Sequence, residues 1–347
     1  MRITIVGTGA MGSLMAGRLA HTASPSSLPI SARHESIDDV LLYGRPSPHL
    51  EAIQRDGLRL VEMDGTSRII PIRASSNPAD VKGSDVVLVL VKAWATTEAA
   101  APLRSYLTRD TIVLTLQNGL GNAAALRSAL LHEGVRPHVW LGVTTQAALR
   151  SEPGTVVHTG DGITAIGRRS QEVNTRIRDI ATALSLSGLR TVAVADIHRW
   201  VWRKLAVNAA INPLTALAGV PNAMVSTDPG LRSAAATLAA EVVAVANAID
   251  VPLDLGEVLG AVDEVARATG TNRSSMLVDL EAGIRTEIDA INGAVGSEAK
   301  RLRMPAPANN LMTALVRARE RRAETAPVTP GDDDGVDPDL VAAGVFA

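Results

Sequence analysis

The first twelve residues contain the stretch that decides the fold, Ile3-Thr4-Ile5-Val6-Gly7-Thr8-Gly9-Ala10-Met11-Gly12. A β-branched run leads into G-x-G-x-x-G, and a helical pattern follows from Met11 to Ala20. In this context Gly7 permits a tight turn, Gly9 lets the backbone approach a pyrophosphate, and Gly12 allows close packing of helix on strand. Free N–H groups at the start of the helix would face the phosphates. The motif predicts a dinucleotide site formed by Gly7, Thr8, Gly9, Ala10, Met11 and Gly12; the alternative is a glycine-rich turn that binds nothing.

Strand and helix patterns continue to alternate through the first half of the chain. Val86–Val91 is apolar on both faces, which is typical of a central parallel strand. We interpret Leu58–Val61 and Ile69–Ile72 as edge strands and Val156–Ile166 as a hairpin around Gly160-Asp161-Gly162. The remaining predicted elements are strands at Val40–Tyr43, Ile112–Leu116 and Val139–Val143, and a helix at Pro48–Asp56. This alternation predicts an α/β fold whose N-terminal part is a Rossmann-type doubly wound sheet.

The pattern changes at about Asp196, where strand signals give way to helical periodicity rich in Ala and Leu. We therefore expect a dinucleotide-binding domain over residues 1–195 and an all-helical substrate and catalytic domain over residues 196–324. Residues 22–37 are rich in Ser and Pro and have no periodicity, which indicates a surface insertion. Residues 325–347 contain Asp332-Asp333-Asp334 and few large apolar groups, so we expect a disordered acidic tail.

Composition excludes several classes of function. Lys and Arg number 34 against 36 Asp and Glu, a balance that argues against a nucleic-acid partner. There is no cysteine, which excludes disulfides, thiolate metal sites and a cysteine nucleophile, and we expect no metal site. No apolar run approaches the roughly 20 residues that span a bilayer. We expect a soluble cytoplasmic protein without a membrane partner, and the sequence leaves monomer and homodimer open.

The end of the second predicted strand bears on which dinucleotide binds. The strand ends Leu42-Tyr43-Gly44-Arg45, without the acid that normally holds the ribose hydroxyls of NAD. Arg45 could pair with a 2′-phosphate, which favours NADP; the alternative is a solvated surface arginine. Lys92 comes just after the central strand Val86–Val91, and Asn118 comes after the next strand, Ile112–Leu116. Ligands of open α/β sheets bind at such carboxyl ends.

A second candidate site lies in the helical half. Lys204, Asn208 and Asn212 are spaced four apart, so they share one face of a helix whose other residues are almost all apolar. Because a buried polar stripe needs partners, the pattern predicts a cleft wall that presents one cation and two amides to a polar ligand. The alternatives are a satisfied core network and a solvated face. A carboxylate of Thr286-Glu287-Ile288-Asp289 would be a natural counter-ion for a buried lysine.

Together these residues resemble the ketopantoate reductase family from Met1 to about Glu324. Besides the glycine motif, the resemblance rests on Val91-Lys92-Ala93-Trp94, Gln117-Asn118-Gly119-Leu120-Gly121-Asn122, Trp202-Arg203-Lys204-Leu205-Ala206-Val207-Asn208, Asn212-Pro213-Leu214-Thr215, Ser274-Ser275-Met276 and Thr286-Glu287-Ile288-Asp289. The resemblance implies an NADP-dependent oxidoreductase that reduces ketopantoate (2-dehydropantoate) to D-pantoate with NADPH, in the route to pantothenate and coenzyme A.

The resemblance also implies roles for individual residues. Lys204 would be the general acid and Glu287 the active-site glutamate. Asn208, Asn212 and Ser275 would bind substrate, Lys92 and Asn118 would lie on the cofactor side, and Arg45 would hold the 2′-phosphate; Asn118 could also orient the substrate or the lysine. Hydride addition to a 2-oxo carbonyl builds negative charge on oxygen, which an ammonium group can stabilise and protonate.

Two alternatives stay open at this point. One is an NADP-dependent reductase of the same fold that acts on another 2-oxo acid. The other is a dinucleotide-sensing protein without turnover, against which the polar stripe on the helix of Lys204 argues, because a sensor needs no general acid.

Overall fold

The computed structural model describes residues 1–23, 37–168 and 172–325. The chain divides into two compact units, the first ending at Trp200 and the second beginning at Val201. Most of the predicted insertion (22–37) and tail (325–347) lies outside the described residues. At their borders, Thr22 belongs to the first helix, Ile37 is buried in the core, and Thr325 ends the last helix.

Twelve strands are present among the described residues, all in the first unit. In chain order they are β1 (Arg2–Val6), β2 (Asp39–Tyr43), β3 (Leu58–Val61), β4 (Ser67–Ile70), β5 (Arg73–Ser75), β6 (Val86–Val89), β7 (Ile112–Thr115), β8 (His138–Thr144), β9 (Ala147–Glu152), β10 (Thr155–Gly160), β11 (Thr164–Gly167) and β12 (Thr191–Val194).

The larger sheet has eight strands in the order β12-β11-β8-β7-β6-β1-β2-β5. Neighbours are parallel except β8 and β11, which are antiparallel. The chain leaves β1 toward β2 and β5 on one side and later returns to build β6, β7 and β8 on the other. The carboxyl ends of β1 and β6 therefore flank the topological switch point, where doubly wound sheets bind ligands. This arrangement confirms the predicted Rossmann-type α/β fold.

Alternate residues of the central strand β6 face two different layers of the core. Val86 and Leu88 belong to one hydrophobic cluster together with Ile5. Val87 and Val89 belong to a second cluster on the opposite face. Burial on both faces explains why this strand reads as a continuous apolar run instead of an alternating one.

A smaller sheet, in the order β4-β3-β10-β9, corrects the predicted hairpin over Val156–Ile166. Strand β10 pairs with β3 and β9, whereas β11 joins the larger sheet between β8 and β12. The sequence correctly predicted a change of chain direction around Gly160-Asp161-Gly162, but the strands on either side of it join different sheets. Strand β3 is also paired on both sides, so it is not an edge strand, and β4 begins two residues before the predicted Ile69.

Helices cover the sheet in the first unit and make up the second. The first five are α1 (Ala10–Ala23), α2 (Pro48–Asp56), α3 (Thr96–Ala100), α4 (Asn122–Ala129) and α5 (Thr175–Leu186). The others are α6 (Ile197–Ala218), α7 (Met224–Thr227), α8 (Pro229–Asn247), α9 (Leu255–Ala268), α10 (Ser275–Glu281), α11 (Asn292–Leu302) and α12 (Pro307–Thr325). No strand follows β12 in the described chain, so the predicted helical C-terminal half is confirmed. None of the helices in the described ranges is both long and apolar enough to pass through a membrane.

Candidate active site

The glycine-rich loop after β1 is shaped by two positions that admit no side chain. Gly7 has φ +120°, and a Cβ there would lie 2.9 Å from the backbone nitrogen of Val91. A Cβ on Gly12 would lie 1.8 Å from the carbonyl oxygen of Gly7. Both glycines are therefore required for α1 to begin directly against the end of β1.

Gly9 differs from these two because the space beside it is open. A Cβ at this position would meet no protein atom within 4 Å, and the residue is exposed. The opening lies at the N-terminus of α1, a helix of 14 residues with no acidic side chain in its first turn. Helix N-termini attract phosphate through their free N–H groups and their dipole. The loop thus fits the pyrophosphate of a dinucleotide; Ala10 and Met11, which follow, form the first turn of α1.

The end of β2 lies against the same loop. A Cβ on Gly44 would approach Thr8 Cγ2 to 2.5 Å, so a larger residue here would force the Thr8 side chain to shift. The next residue, Arg45, has a side chain that is 74% exposed and pairs with Glu98 of α3 at 3.2 Å. Because β2 and the β6–α3 connection lie on opposite sides of β1, this ion pair joins the two segments that flank the glycine loop.

Lys92 and Asn118 follow β6 and β7, so they occupy the same edge of the sheet as the glycine loop. Both residues are partly buried. The structure thus brings the predicted cofactor residues of the first unit to the carboxyl ends of four neighbouring strands, β2, β1, β6 and β7.

A partly buried network of side-chain amides, to which the sequence analysis assigned no role, braces these connections. Gln117 Nε2 donates to the carbonyl oxygen of Val91 (2.9 Å) and to Thr96 Oγ1 (2.7 Å). Asn122 Nδ2 donates to the carbonyl oxygen of Asn118 (2.9 Å). The network therefore fixes the backbone on either side of Lys92 and Asn118. Gln117 and Asn122 both belong to the motif Gln117–Asn122 quoted in the sequence analysis, so the motif could have pointed to this network. Only Asn118 had been given a function there.

In the second unit, Lys204, Asn208 and Asn212 lie on α6, as their spacing predicts. Asn212 is 8% exposed, and Lys204 and Asn208 are partly buried among fully buried apolar neighbours. Burial lowers the pKa of Lys204 to about 8, and the carboxylate of Glu287 acts in the opposite direction. An amine with this pKa exists in both protonation states near neutral pH, which suits proton transfer.

Helix α6 contains Pro213, which has no N–H for the carbonyl oxygen of Ala209, its usual partner in an α-helix. The side chain of Asn292, the first residue of α11, replaces that missing donor: its Nδ2 lies 3.0 Å from the Ala209 oxygen. Asn292 is fully buried and also donates to Asn309 Oδ1 at 3.0 Å. The part of α6 around Pro213, just after the last residue of the polar stripe, is therefore tied to α11 and α12 by a side-chain amide.

Ser275 is exposed and is the first residue of α10. The residue before it, Ser274, accepts from the N–H of Leu277 and lies 2.8 Å from the hydroxyl of Thr215 on α6. Thr215, from the motif Asn212–Thr215, thus joins the end of the polar stripe to the helix start that carries Ser275. The sequence analysis had assigned Thr215 no function.

Glu287 is 7% exposed and lies in the segment between α10 and α11. The Glu287 carboxylate acts to raise the pKa of Lys204, against the effect of burial. Its role as the counter-ion of this lysine stays a prediction. Within residues 1–23, 37–168 and 172–325, no three His, Asp or Glu side chains are grouped so that they could hold a metal ion.

Comparison with known proteins shows that both halves of the chain match one protein family. The profile of ketopantoate reductase PanE/ApbA matches residues 3–171, and the profile of its C-terminal part matches residues 196–320. The chain belongs to the ketopantoate reductase family. The family resemblance inferred from the motifs is thereby confirmed.

Individual relatives can be aligned with almost the whole of this chain. The 2-dehydropantoate 2-reductase of Halobacterium salinarum is 38% identical over 322 residues, which cover 92% of this chain and 99% of the relative. The crystal structure of a PanE/ApbA family ketopantoate reductase from Ralstonia eutropha is 31% identical, with TM-score 0.81 over 93% of this chain and 100% of that one. D-mandelate dehydrogenase with NADH and anilino(oxo)acetate has TM-score 0.82 and 26% identity over 94% of this chain and 100% of that one. These are oxidoreductases, and the family is one of dinucleotide-binding reductases.

Proposed function

We propose that this chain reduces 2-dehydropantoate to D-pantoate with NADPH and so contributes to the synthesis of pantothenate and coenzyme A. The observation that carries the proposal is the arrangement on α6: Lys204, with a pKa of about 8 and Glu287 as its counter-ion, lies on one helix face with Asn208 and Asn212. The relative from Halobacterium salinarum, named 2-dehydropantoate 2-reductase and 38% identical to this chain, supports the choice of substrate.

In this proposal residues 1–195 bind the dinucleotide and residues 196–324 bind the substrate and supply the proton. Gly7, Thr8, Gly9, Ala10, Met11 and Gly12 would hold the pyrophosphate, and Lys92 and Asn118 would contact the nicotinamide half. Arg45 would bind the 2′-phosphate, which would take the place of the Glu98 carboxylate as its partner. When bound, NADPH supplies the hydride that adds to C2 of the 2-oxo acid.

Lys204 Nζ donates a proton to the carbonyl oxygen as negative charge develops there, and the 2-hydroxy acid results. The amine is left neutral and regains its proton from solvent. The Glu287 carboxylate favours the protonated amine and holds it in position. Asn208, Asn212 and Ser275 would donate hydrogen bonds to the substrate carboxylate and 4-hydroxyl, and Asn118 would orient the carbonyl.

A second candidate is the reduction of another 2-oxo acid by the same lysine. The likeness to D-mandelate dehydrogenase with NADH specifically favours this alternative. Lys204 would still be the proton donor, because every 2-oxo acid presents the same carbonyl group. Only the pocket that binds the rest of the substrate would suit a different acid.

Spectrophotometric assay of NADPH and NADH oxidation with three acids decides between the candidates. The acids are 2-dehydropantoate, its analogue without the 4-hydroxyl (3,3-dimethyl-2-oxobutanoate), and 2-oxo-2-phenylacetate. We expect 2-dehydropantoate with NADPH to have the highest kcat/KM, and the analogue without the hydroxyl to be about 10- to 100-fold poorer because a buried polar partner is left unpaired. Faster turnover of the phenyl acid would decide for the second candidate, and no turnover with any acid would contradict both.

A further inference from the structure

The segment that carries Glu287 is held by the last helix of the chain. Glu320 on α12 accepts two hydrogen bonds through Oε1, from the backbone N–H of Thr286 (2.7 Å) and from its hydroxyl (2.7 Å). Thr286 is 1% exposed, and its Oγ1 in turn lies 3.2 Å from the N–H of Ile288. The backbone immediately before and after Glu287 is therefore shaped around one carboxylate oxygen of Glu320.

A second contact from α12 holds the other side of the segment. Arg317, three residues before Glu320 and so on the same helix face, donates through Nε to Asp289 at 2.6 Å. Arg285 donates to the other oxygen of Asp289 at 2.9 Å. Partial burial by itself would raise the pKa of Asp289, but the two guanidinium groups outweigh it and the pKa is lowered. Glu287 thus lies between two anchored neighbours.

We propose that Glu320 is a positioning residue for the reduction, which fixes the Glu287 carboxylate beside Lys204 by holding Thr286. The inference rests on the proposed function, because it concerns the same lysine. Glu320 itself contacts Thr286 and not the reacting atoms, so it acts only through Glu287.

The expected consequence follows from the distance dependence of the interaction. The Glu287 carboxylate acts on Lys204 to raise its pKa. If the segment moves, this attraction weakens, the lysine loses its proton at lower pH, and the ammonium is held less firmly. Cofactor binding by the glycine loop does not depend on this segment. Removing the Glu320 carboxylate should therefore lower kcat. It should also lower the pH above which kcat declines, while the Kd of NADPH stays the same.

The test compares Glu320→Ala, Glu320→Gln and a matched control, Glu298→Ala. Glu298 lies on α11 in the same unit and pairs with Arg301, so the control removes a carboxylate and an ion pair away from the segment. We expect Glu320→Ala to lower kcat about 10- to 100-fold, the range for a displaced catalytic group. Glu320→Gln should retain most activity, because an amide oxygen can accept both hydrogen bonds from Thr286. The control should behave as wild type.

Folding is monitored by the melting temperature of each preparation. If Glu320→Ala does not fold, Glu320→Asp replaces it; this variant keeps the charge but shortens the side chain by one methylene group, and its kcat should fall below that of Glu320→Gln. Wild-type kcat and an unmoved alkaline limit in folded Glu320→Ala or Glu320→Asp would overturn the positioning role. Lys204→Ala separates the two proposals: if it loses turnover while the Glu320 variants keep theirs, only the positioning role fails, and if it keeps turnover, both fail.

Discussion

At the scale of single residues, the proposed chemistry depends on Lys204, a lysine that is partly withdrawn from water. Lys204→Ala should lower kcat by about 10²–10⁴-fold, the usual loss when a general acid is removed. The Kd of NADPH should barely change, because the predicted phosphate contacts are made by Gly7–Gly12. Steady-state kinetics and a fluorescence titration with NADPH measure the two quantities on one preparation.

Two further substitutions at this position separate catalysis from stability. Lys204→Arg should also be inactive, since a guanidinium keeps its proton near neutral pH and has a different shape. If Lys204 only neutralises a buried carboxylate, Lys204→Met would lower the melting temperature and leave turnover per folded molecule near that of wild type. Near-normal kcat in well-folded Lys204→Ala would contradict the mechanism.

The pKa of Lys204 predicts how turnover depends on pH. Only the protonated amine can donate, so kcat should fall as the pH rises through about 8. The Glu287 carboxylate raises that pKa, so Glu287→Gln should move the decline to lower pH while leaving the donor in place. A pH profile of kcat for both proteins checks this prediction, and an unchanged limit in the variant would show that Glu287 does not act on the proton donor.

The proposed role of Arg45 leads to a separate prediction about the choice between NADPH and NADH. Arg45→Ala should weaken NADPH binding by about 1.5–3 kcal/mol, the range for a hydrogen bond to a charged group, and leave NADH binding nearly unchanged. Glu98→Gln removes the carboxylate that pairs with Arg45 and should strengthen NADPH binding, most clearly at low salt. Calorimetric titration with both cofactors gives the Kd values. Equal losses for NADPH and NADH in Arg45→Ala would mean that Arg45 has a structural role.

At the scale of elements, the contact between Pro213 and Asn292 joins α6 to α11. Asn292→Leu keeps the branched shape of the side chain but leaves the buried carbonyl oxygen of Ala209 without a donor, which should cost about 1–3 kcal/mol in the free energy of unfolding. In a Pro213→Ala background the residue at 213 regains an N–H for that oxygen, so the same substitution should cost less. Urea unfolding of the four proteins measures this coupling. Equal costs in both backgrounds would show that the amide does not substitute for the missing helix bond.

The elements also show where sequence patterns suffice and where they do not. The order of β1, the glycine turn and α1 follows from local spacing, and so does the shared face of Lys204, Asn208 and Asn212. The division of Val156–Ile166 between two sheets does not, because turn residues report a change of direction and not the strand that will be met next. Glu320 gave no signal either, since it lies in an Arg- and Glu-rich stretch that is typical of a solvated helix face.

At the scale of the whole molecule, the C-terminal region beyond α12 can be tested by deletion. Residues 326–347 contain few large apolar side chains, so burying them would contribute little to stability. Deletion of 326–347 should leave the melting temperature and kcat close to those of the full chain. Deletion from residue 318 onward should lower kcat at least as much as Glu320→Ala, because it removes Glu320 and its hold on Thr286. A large loss of stability in the shorter deletion would show that these residues pack on the rest of the protein.

The contrast between Gly9 and Gly12 has a consequence for experimental evolution. A methyl group at residue 12 would collide with the backbone, whereas one at residue 9 would enter empty space in the protein alone. A library selected only for soluble expression should therefore lose variants at position 12 and tolerate alanine at position 9. Growth selection that requires the reduction should eliminate both. Position 9 would then stand out as the place where fitness and foldability diverge, and comparing the two selections would locate the cofactor without a bound ligand.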